Sequence, residues 1–163
     1  MIRYCDVRNN NDIEKLSYYA SLIWHEYYPS ILSLNQIDYM IQQFQSVHAI
    51  KDQILNGYIY YLILDDDKII GYFGIDERKD QLFLSKLYIL KEFRGKKYAY
   101  NAFCFIKDIA KRKNLKSIYL TVNKYNYHAI ETYQKFGFRT VKSIVTDIGL
   151  SYVMDDYVME FYL

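Results

Sequence analysis

The stretch Arg94-Gly95-Lys96-Lys97-Tyr98-Ala99 joins a strand-like run, Leu87-Tyr88-Ile89-Leu90, to a helical one. The first peptide N–H groups of a helix have no intrahelical partner, and together they carry roughly half a positive charge. A phosphate fits at such a place. Arg94, Lys96 and Lys97 add three cations, Gly95 lets the backbone approach a ligand, and Ala99 is small enough to press against one. Alone, the stretch reads more readily as a solvated basic turn, since short glycine motifs are weak. Further on, Asn126 and Tyr133 stand about two helical turns apart and share a face with Ala129 and Ile130. Gly137-Phe138 then ends that helix. A tyrosine on such a stripe is ordinarily core.

The elements that position these residues follow from periodicity. Ile2–Val7 reads as a strand. Asn10–Asp12 offers caps for a helix carrying Ile13, Leu16, Ala20, Ile23 and Tyr27, and Pro29 ends it. Asn35–Gln45 and Val47–Leu55 read as two shorter helices, stopped by Gly57. Tyr58–Leu64 and Lys68–Asp76 form a hairpin about Asp65-Asp66-Asp67, and Gln81–Leu90 is a longer strand. After Arg94 the period turns helical through Ala99, Ala102, Phe103, Ile106, Ile109 and Ala110. Ser117–Val122 is a strand, Asn126 caps the next helix, and Phe138–Ile148 and Tyr152–Tyr162 are the last strands, split near Gly149–Ser151. The class is α+β, with a mixed sheet covered by helices on both faces. One domain over residues 1–163 is expected.

With both motifs in this order, the chain resembles the GCN5-related N-acetyltransferase (GNAT) superfamily. That family's signature is Arg or Gln, two residues, Gly, one residue, then Gly or Ala, which here reads Arg94 to Ala99. Its second run, Asn-x-x-Ala-x-x-x-Tyr-x-x-x-Gly-Phe, is met by Asn126, Ala129, Tyr133, Gly137 and Phe138. The element order matches over essentially the whole chain, which implies a mostly antiparallel sheet of about seven strands. The departure is Lys97, where the family has its central glycine. At negative φ, Lys97 could still donate its N–H to a pyrophosphate.

The resemblance implies acetyl-CoA as co-substrate, no metal, and direct acetyl transfer to a primary amine. It places the phosphates on Arg94, Gly95, Lys96, Lys97, Tyr98 and Ala99. It sets the pantetheine arm along Leu87, Tyr88 and Ile89, on a strand that splays from its neighbour, with one N–H facing the thioester carbonyl. Asn126, and less directly Asn123, would touch the coenzyme. In similar enzymes a tyrosine at the position of Tyr133 protonates the departing thiolate. A tyrosine titrates near about 10 and a thiol near about 8.5, so the phenol is protonated at neutral pH and can donate. Gln81–Leu90 holds no carboxylate for a base, which leaves a water chain or one of Glu26, Asp76, Asp147 and Asp155.

The first two helices and the last hairpin form the acceptor wall in that superfamily. Here they bring Trp24, His25, Glu26, Tyr27, Tyr28 and Tyr39, with Asp155 and Asp156 from the last turn. Aromatic faces and carboxylates suit a cation, and Trp24, Glu26, Tyr28 and Asp155 are the substrate candidates. A polyamine or another small cationic amine fits. The Val122-Asn123-Lys124 and Tyr27-Tyr28-Pro29 runs also look similar to the bacterial polyamine acetyltransferase branch. A protein N-terminus is the rival acceptor, and a non-catalytic acyl-CoA-binding module is the alternative of another class.

Composition bounds the rest. A formal net charge of +2, with no basic run, argues against a nucleic-acid partner. No apolar stretch is long enough for a membrane span. Cys5 and Cys104 form no spacing motif, and a reducing cytoplasm fits them. Among 20 tyrosines, those of the final strands could form a homodimer contact.

Overall fold

The computed structural model describes all 163 residues. Its elements are β1 (Ile2–Asp6), α1 (Asn10–Tyr27), α2 (Leu34–Phe44), α3 (Val47–Leu55), β2 (Ile59–Asp65), β3 (Lys68–Arg78), β4 (Gln81–Ile89), α4 (Tyr98–Arg112), β5 (Ser117–Asn123), α5 (Tyr127–Phe136), β6 (Arg139–Gly149) and β7 (Tyr152–Tyr162). The hydrogen-bonded strand order is β1-β2-β3-β4-β5-β7-β6. The β4–β5 pair is parallel, and β1–β2, β2–β3, β5–β7 and β6–β7 are antiparallel. The expected mixed, mostly antiparallel sheet of seven strands is therefore present. The chain divides into two compact units, one of Met1–Asp76 and Lys86–Ala102, the other of Glu77–Ser85 and Phe103–Leu163.

In the first unit, side-chain caps set the helix starts. Asn9 accepts from Asp12 N at 2.8 Å, Ser33 from Gln36 N at 3.2 Å and Ser46 from Ala49 N at 3.2 Å. Each satisfies an amide that the first turn leaves open. The cap of α1 is Asn9, one residue before the expected caps. Ile13, Leu16, Ala20, Ile23 and Trp24 bury the inner face of α1. Trp24 is thus packed in the core, and only 4% of it is exposed.

A buried polar chain fixes the middle of this core. Trp24 Nε1 donates to Tyr72 Oη at 3.1 Å, and Tyr72 Oη donates to Gln45 Oε1 at 2.6 Å. Gln45 Nε2 donates to Phe44 O at 2.6 Å, and Tyr60 Oη donates to Gln53 Oε1. Burial pushes the Tyr60 and Tyr72 phenols up from the usual tyrosine value, so both act as neutral donors. These phenols need partners because a buried hydroxyl without one costs about 1–3 kcal/mol.

The second unit rests on β5, β6 and β7. The β5–β7 register runs without a shift from Ser117↔Tyr162 to Asn123↔Asp156. Successive residues of a strand face opposite ways, so Ile118, Leu120 and Val122 are buried on one face with Met159, and the half-buried Phe161 lies on the same face. Phe103, Phe136, Phe138 and Phe161 form a ring cluster there, with centroid separations of 5.2–5.7 Å. The β6–β7 turn needs positive φ at Gly149, Leu150 and Ser151. Asp155 and Asp156 lie inside β7 rather than in that turn. No helix is long and apolar enough to cross a membrane.

Candidate active site

In the first unit, β4 carries Leu87, Tyr88 and Ile89, and Ile89 is buried. The pairing of β4 with β5 covers Gln81, Leu82 and Phe83, while β4 itself runs on to Ile89. A Cβ on Gly71 would stand 2.2 Å from the Tyr88 carbonyl oxygen, so only glycine lets β3 pass β4 this closely. Tyr88 Oη lies 2.6 Å from Tyr28 Oη, inside an aromatic group with Trp24 and Tyr72. Tyr28 is therefore half-buried and bonded to the strand expected to hold the pantetheine arm.

After β4, the chain makes a short 3-10 turn, Lys91–Phe93, and enters the loop. Arg94 is held from three sides. Its Nε donates to Ile89 O at 2.9 Å, its two terminal nitrogens meet Glu26 at 3.2 and 2.7 Å, and its guanidinium stacks 5.1 Å from the Tyr27 ring centre. A bidentate guanidinium–carboxylate pair is a geometric clamp. The Arg94 side chain thus ties the loop to α1 through Glu26. This pair spans most of the unit's sequence, and no local pattern announces it.

Gly95, Lys96 and Lys97 are exposed. Gly95 has φ +76°, and the space where its Cβ would stand is open to 4 Å. Lys97 has φ +65°. The condition of a negative φ is not met: Lys97 adopts the left-handed conformation, which a glycine takes without strain. Its carbonyl accepts from Asn101 N at 3.0 Å, the first backbone bond of α4. Tyr98 is anchored by its hydroxyl, which donates to Asp65 Oδ2 at 2.7 Å and holds that carboxyl below its usual range. An exposed loop with two positive φ values at a helix start turns its backbone amides outward, so it fits an anionic group. Lys97→Gly is expected to raise stability by about 1 kcal/mol, by removing left-handed strain. Thermal unfolding checks this, and a lower melting temperature would contradict the strain.

In the second unit, Asn123, Lys124, Tyr125 and Asn126 form a knotted turn between β5 and α5. Asn123 Oδ1 accepts from Tyr125 N at 2.9 Å, and Asn126 N donates to Asn123 O at 2.9 Å. Asn126 is buried, and its Oδ1 accepts from Ala129 N at 3.3 Å as the cap of α5. At the other end, Gly137 has φ +106°. Gly137 N donates to Gln134 O at 3.0 Å and Phe138 N donates to Tyr133 O at 2.9 Å. This double bond pattern is a Schellman cap, whose usual apolar contact joins the residues at the positions of Tyr133 and Phe138. Those two rings meet edge to face at 5.5 Å. Phe136 meets Tyr133 at 6.0 Å. The Gly-Phe exit therefore orients the Tyr133 ring as well as ending the helix.

On β7, Asp155 Oδ1 pairs with Lys124 Nζ at 2.7 Å, and the ammonium lies 5.6 Å from the Tyr157 ring centre. Like Glu26, this substrate candidate is partly exposed and paired with a cation of the chain. Asp147, a candidate base, accepts from Gly149 N at 2.8 Å in the exposed β6–β7 turn. The sequence reading gave Asp156 no separate role. It is nevertheless buried, 4% exposed, and its carboxyl is pushed up to about 6, chiefly by burial and then by the charge of Asp155. The signal was present, since strand alternation puts Asp156 on the same face as Val158.

A family model described as the acetyltransferase (GNAT) family matches residues 19–138. The chain belongs to that family. The matched span contains both the Arg94–Ala99 loop and Tyr133. Among curated GNAT relatives, a protein of Bacillus subtilis (strain 168), provisionally named as a ribosomal protein bS18-alanine N-acetyltransferase, is 30% identical over 98 residues. That match covers 58% of this chain and 65% of the relative's length. Among solved GNAT folds, the PaiA N-acetyltransferase of Thermoplasma acidophilum in complex with coenzyme A superposes with a TM-score of 0.85. It is 22% identical, covering 100% of this chain and 99% of that one. The ribosomal-protein-S18-alanine N-acetyltransferase of Escherichia coli superposes with a TM-score of 0.73 at 12% identity, covering 99% and 94%.

Proposed function

We propose that this chain is an acetyl-CoA-dependent N-acetyltransferase acting on a primary amine, with residues 1–163 working as one catalytic domain. The observation that carries this reading is the family match, which spans both the anion-receptive loop and the capped tyrosine. In this reading the pyrophosphate is taken by the amides of Gly95 to Ala99, with Lys96 and Lys97 adding charge. Arg94 acts by fixing the loop through Glu26 and Ile89 rather than by reaching out. The pantetheine arm follows Leu87–Ile89, past the point where pairing with β5 stops. Tyr133 donates its proton to the departing sulfur. Asn126 and Asn123 use their side-chain oxygens in local turns that hold them beside the start of α5. The free thiols Cys5 and Cys104 suit a reducing cytoplasm.

The acceptor is a primary amine. Trp24 is buried, while Glu26 and Asp155 are each paired with a cation of the chain, which speaks against a wall built for a polycation. That favours an acceptor presenting one ammonium. A peptide N-terminus is the second reading, and the 30% identical relative named for a ribosomal alanine supports it.

Thiol release from acetyl-CoA tests the proposal, with spermidine, a monoamine and an alanine-first hexapeptide offered in turn. At least one is expected to give saturable release. Silence with all of them, together with intact acetyl-CoA binding, would instead identify a non-catalytic acyl-CoA module.

A further inference from the structure

Asp156 is the one acidic side chain among the buried polar residues. It sits in β7 between Asn123 of β5 and Ile144 of β6, both uncharged cross-strand partners. The other two carboxylates of β7 have fixed partners. Glu160 accepts from Gln81 and Ser117 at 2.7 Å each, and Asp155 holds Lys124. Asp156 has none: burial and the charges of Asp155 and Lys124 act on it, and no hydrogen bond does. Lys124, the nearby cation, is committed to Asp155, which points to the other face of the strand. A buried carboxylate without a donor is costly, and a neutral residue would fill the place more cheaply.

The position gives that cost a use. Asp156 shares a face with Asn123, at the end of β5 that leads into Asn126 and α5. Tyr133 belongs to the ring cluster on the opposite face, with Phe138 and Phe161. The β5–β7 pair therefore carries a proton acceptor on one side and a proton donor on the other. We propose that Asp156 receives the ammonium of the acceptor and is the general base of the transfer. This rests on the acetyltransferase reading above.

The step balances as follows. The Asp156 carboxylate takes one proton from the ammonium, leaving a neutral amine. The nitrogen lone pair forms a C–N bond to the acetyl carbon. The C–S bond breaks with its electron pair on sulfur, which takes the Tyr133 proton, and the surplus N–H proton restores Tyr133. The products are an amide, a thiol and one proton, which Asp156 passes to water.

The test is Asp156→Asn, assayed for thiol release with spermidine and the alanine-first hexapeptide between pH 5 and 9. At pH 7, kcat/KM is expected to fall by about tenfold to a hundredfold, with acetyl-CoA affinity unchanged. The deficit should shrink as pH rises and more amine arrives neutral. A variant within twofold of wild type at pH 7, or a deficit equal at every pH, overturns the role of Asp156 while leaving the transferase reading intact. Wild-type protein silent with every amine removes both.

Discussion

Replacing Tyr133 by phenylalanine is expected to lower kcat by about 10²- to 10³-fold, the usual worth of a positioned general acid. The variant is informative because it removes one oxygen and little else. The ring is held by Phe138 and Phe136, and the helix end is held by backbone bonds to Gly137 and Phe138. All of these survive in phenylalanine. Folding stability should therefore stay within about 1 kcal/mol of wild type. Acetyl-CoA affinity should also hold, since the proposed phosphate contacts lie on another segment. The loss should appear in kcat and kcat/KM together, as for an interaction made only in the transition state. A second check uses the leaving group. A thioester whose thiol is more acidic needs less protonation, so its rate should depend less on Tyr133. Equal losses for both thioesters, or a variant as fast as wild type, would remove Tyr133 from the proton path.

How far the sequence alone reaches is visible in particular residues. Tyr152–Tyr162 was readable as a strand to both ends, because period-two alternation and a turn signal bound it. The second motif was also readable, since Asn126 and Gly137 are local caps whose chemistry lies within a few residues. The burial of Trp24 was passed over, although it lies four residues after Ala20, on the helical face that the pattern marks as core. Arg94 shows another limit. Its partner Glu26 is remote in sequence, and only the tertiary structure brings a guanidinium to a carboxylate. Lys97 belongs to a third kind. Sequence says that a glycine is missing, but the loop imposes the glycine conformation on the lysine all the same. Local rules gave way where backbone strain is carried at a proposed binding loop.

Asp156 should also leave a mark on stability that does not depend on its role in catalysis. Its carboxyl is raised from 3.8 to about 6 in the folded chain. The fold therefore favours the protonated form. The stabilising contribution is complete below about pH 4 and is lost as pH rises through about 6. Above that, the fold bears a buried charge costing roughly 1–3 kcal/mol, allowing for screening by residual water. Asparagine has the same shape and no charge. Asp156→Asn should match wild type near pH 4 and exceed it by that amount at pH 8, as measured by urea unfolding across the range. An advantage that does not vary with pH, or a variant less stable at pH 8, would mean that the carboxyl is satisfied in solution. Joined to the kinetic test, the sign matters most. A structural residue weakens the protein when replaced, whereas a group kept for chemistry makes it more stable and slower. Stabilisation at pH 8 together with the expected fall in kcat/KM would locate the proton acceptor on β7.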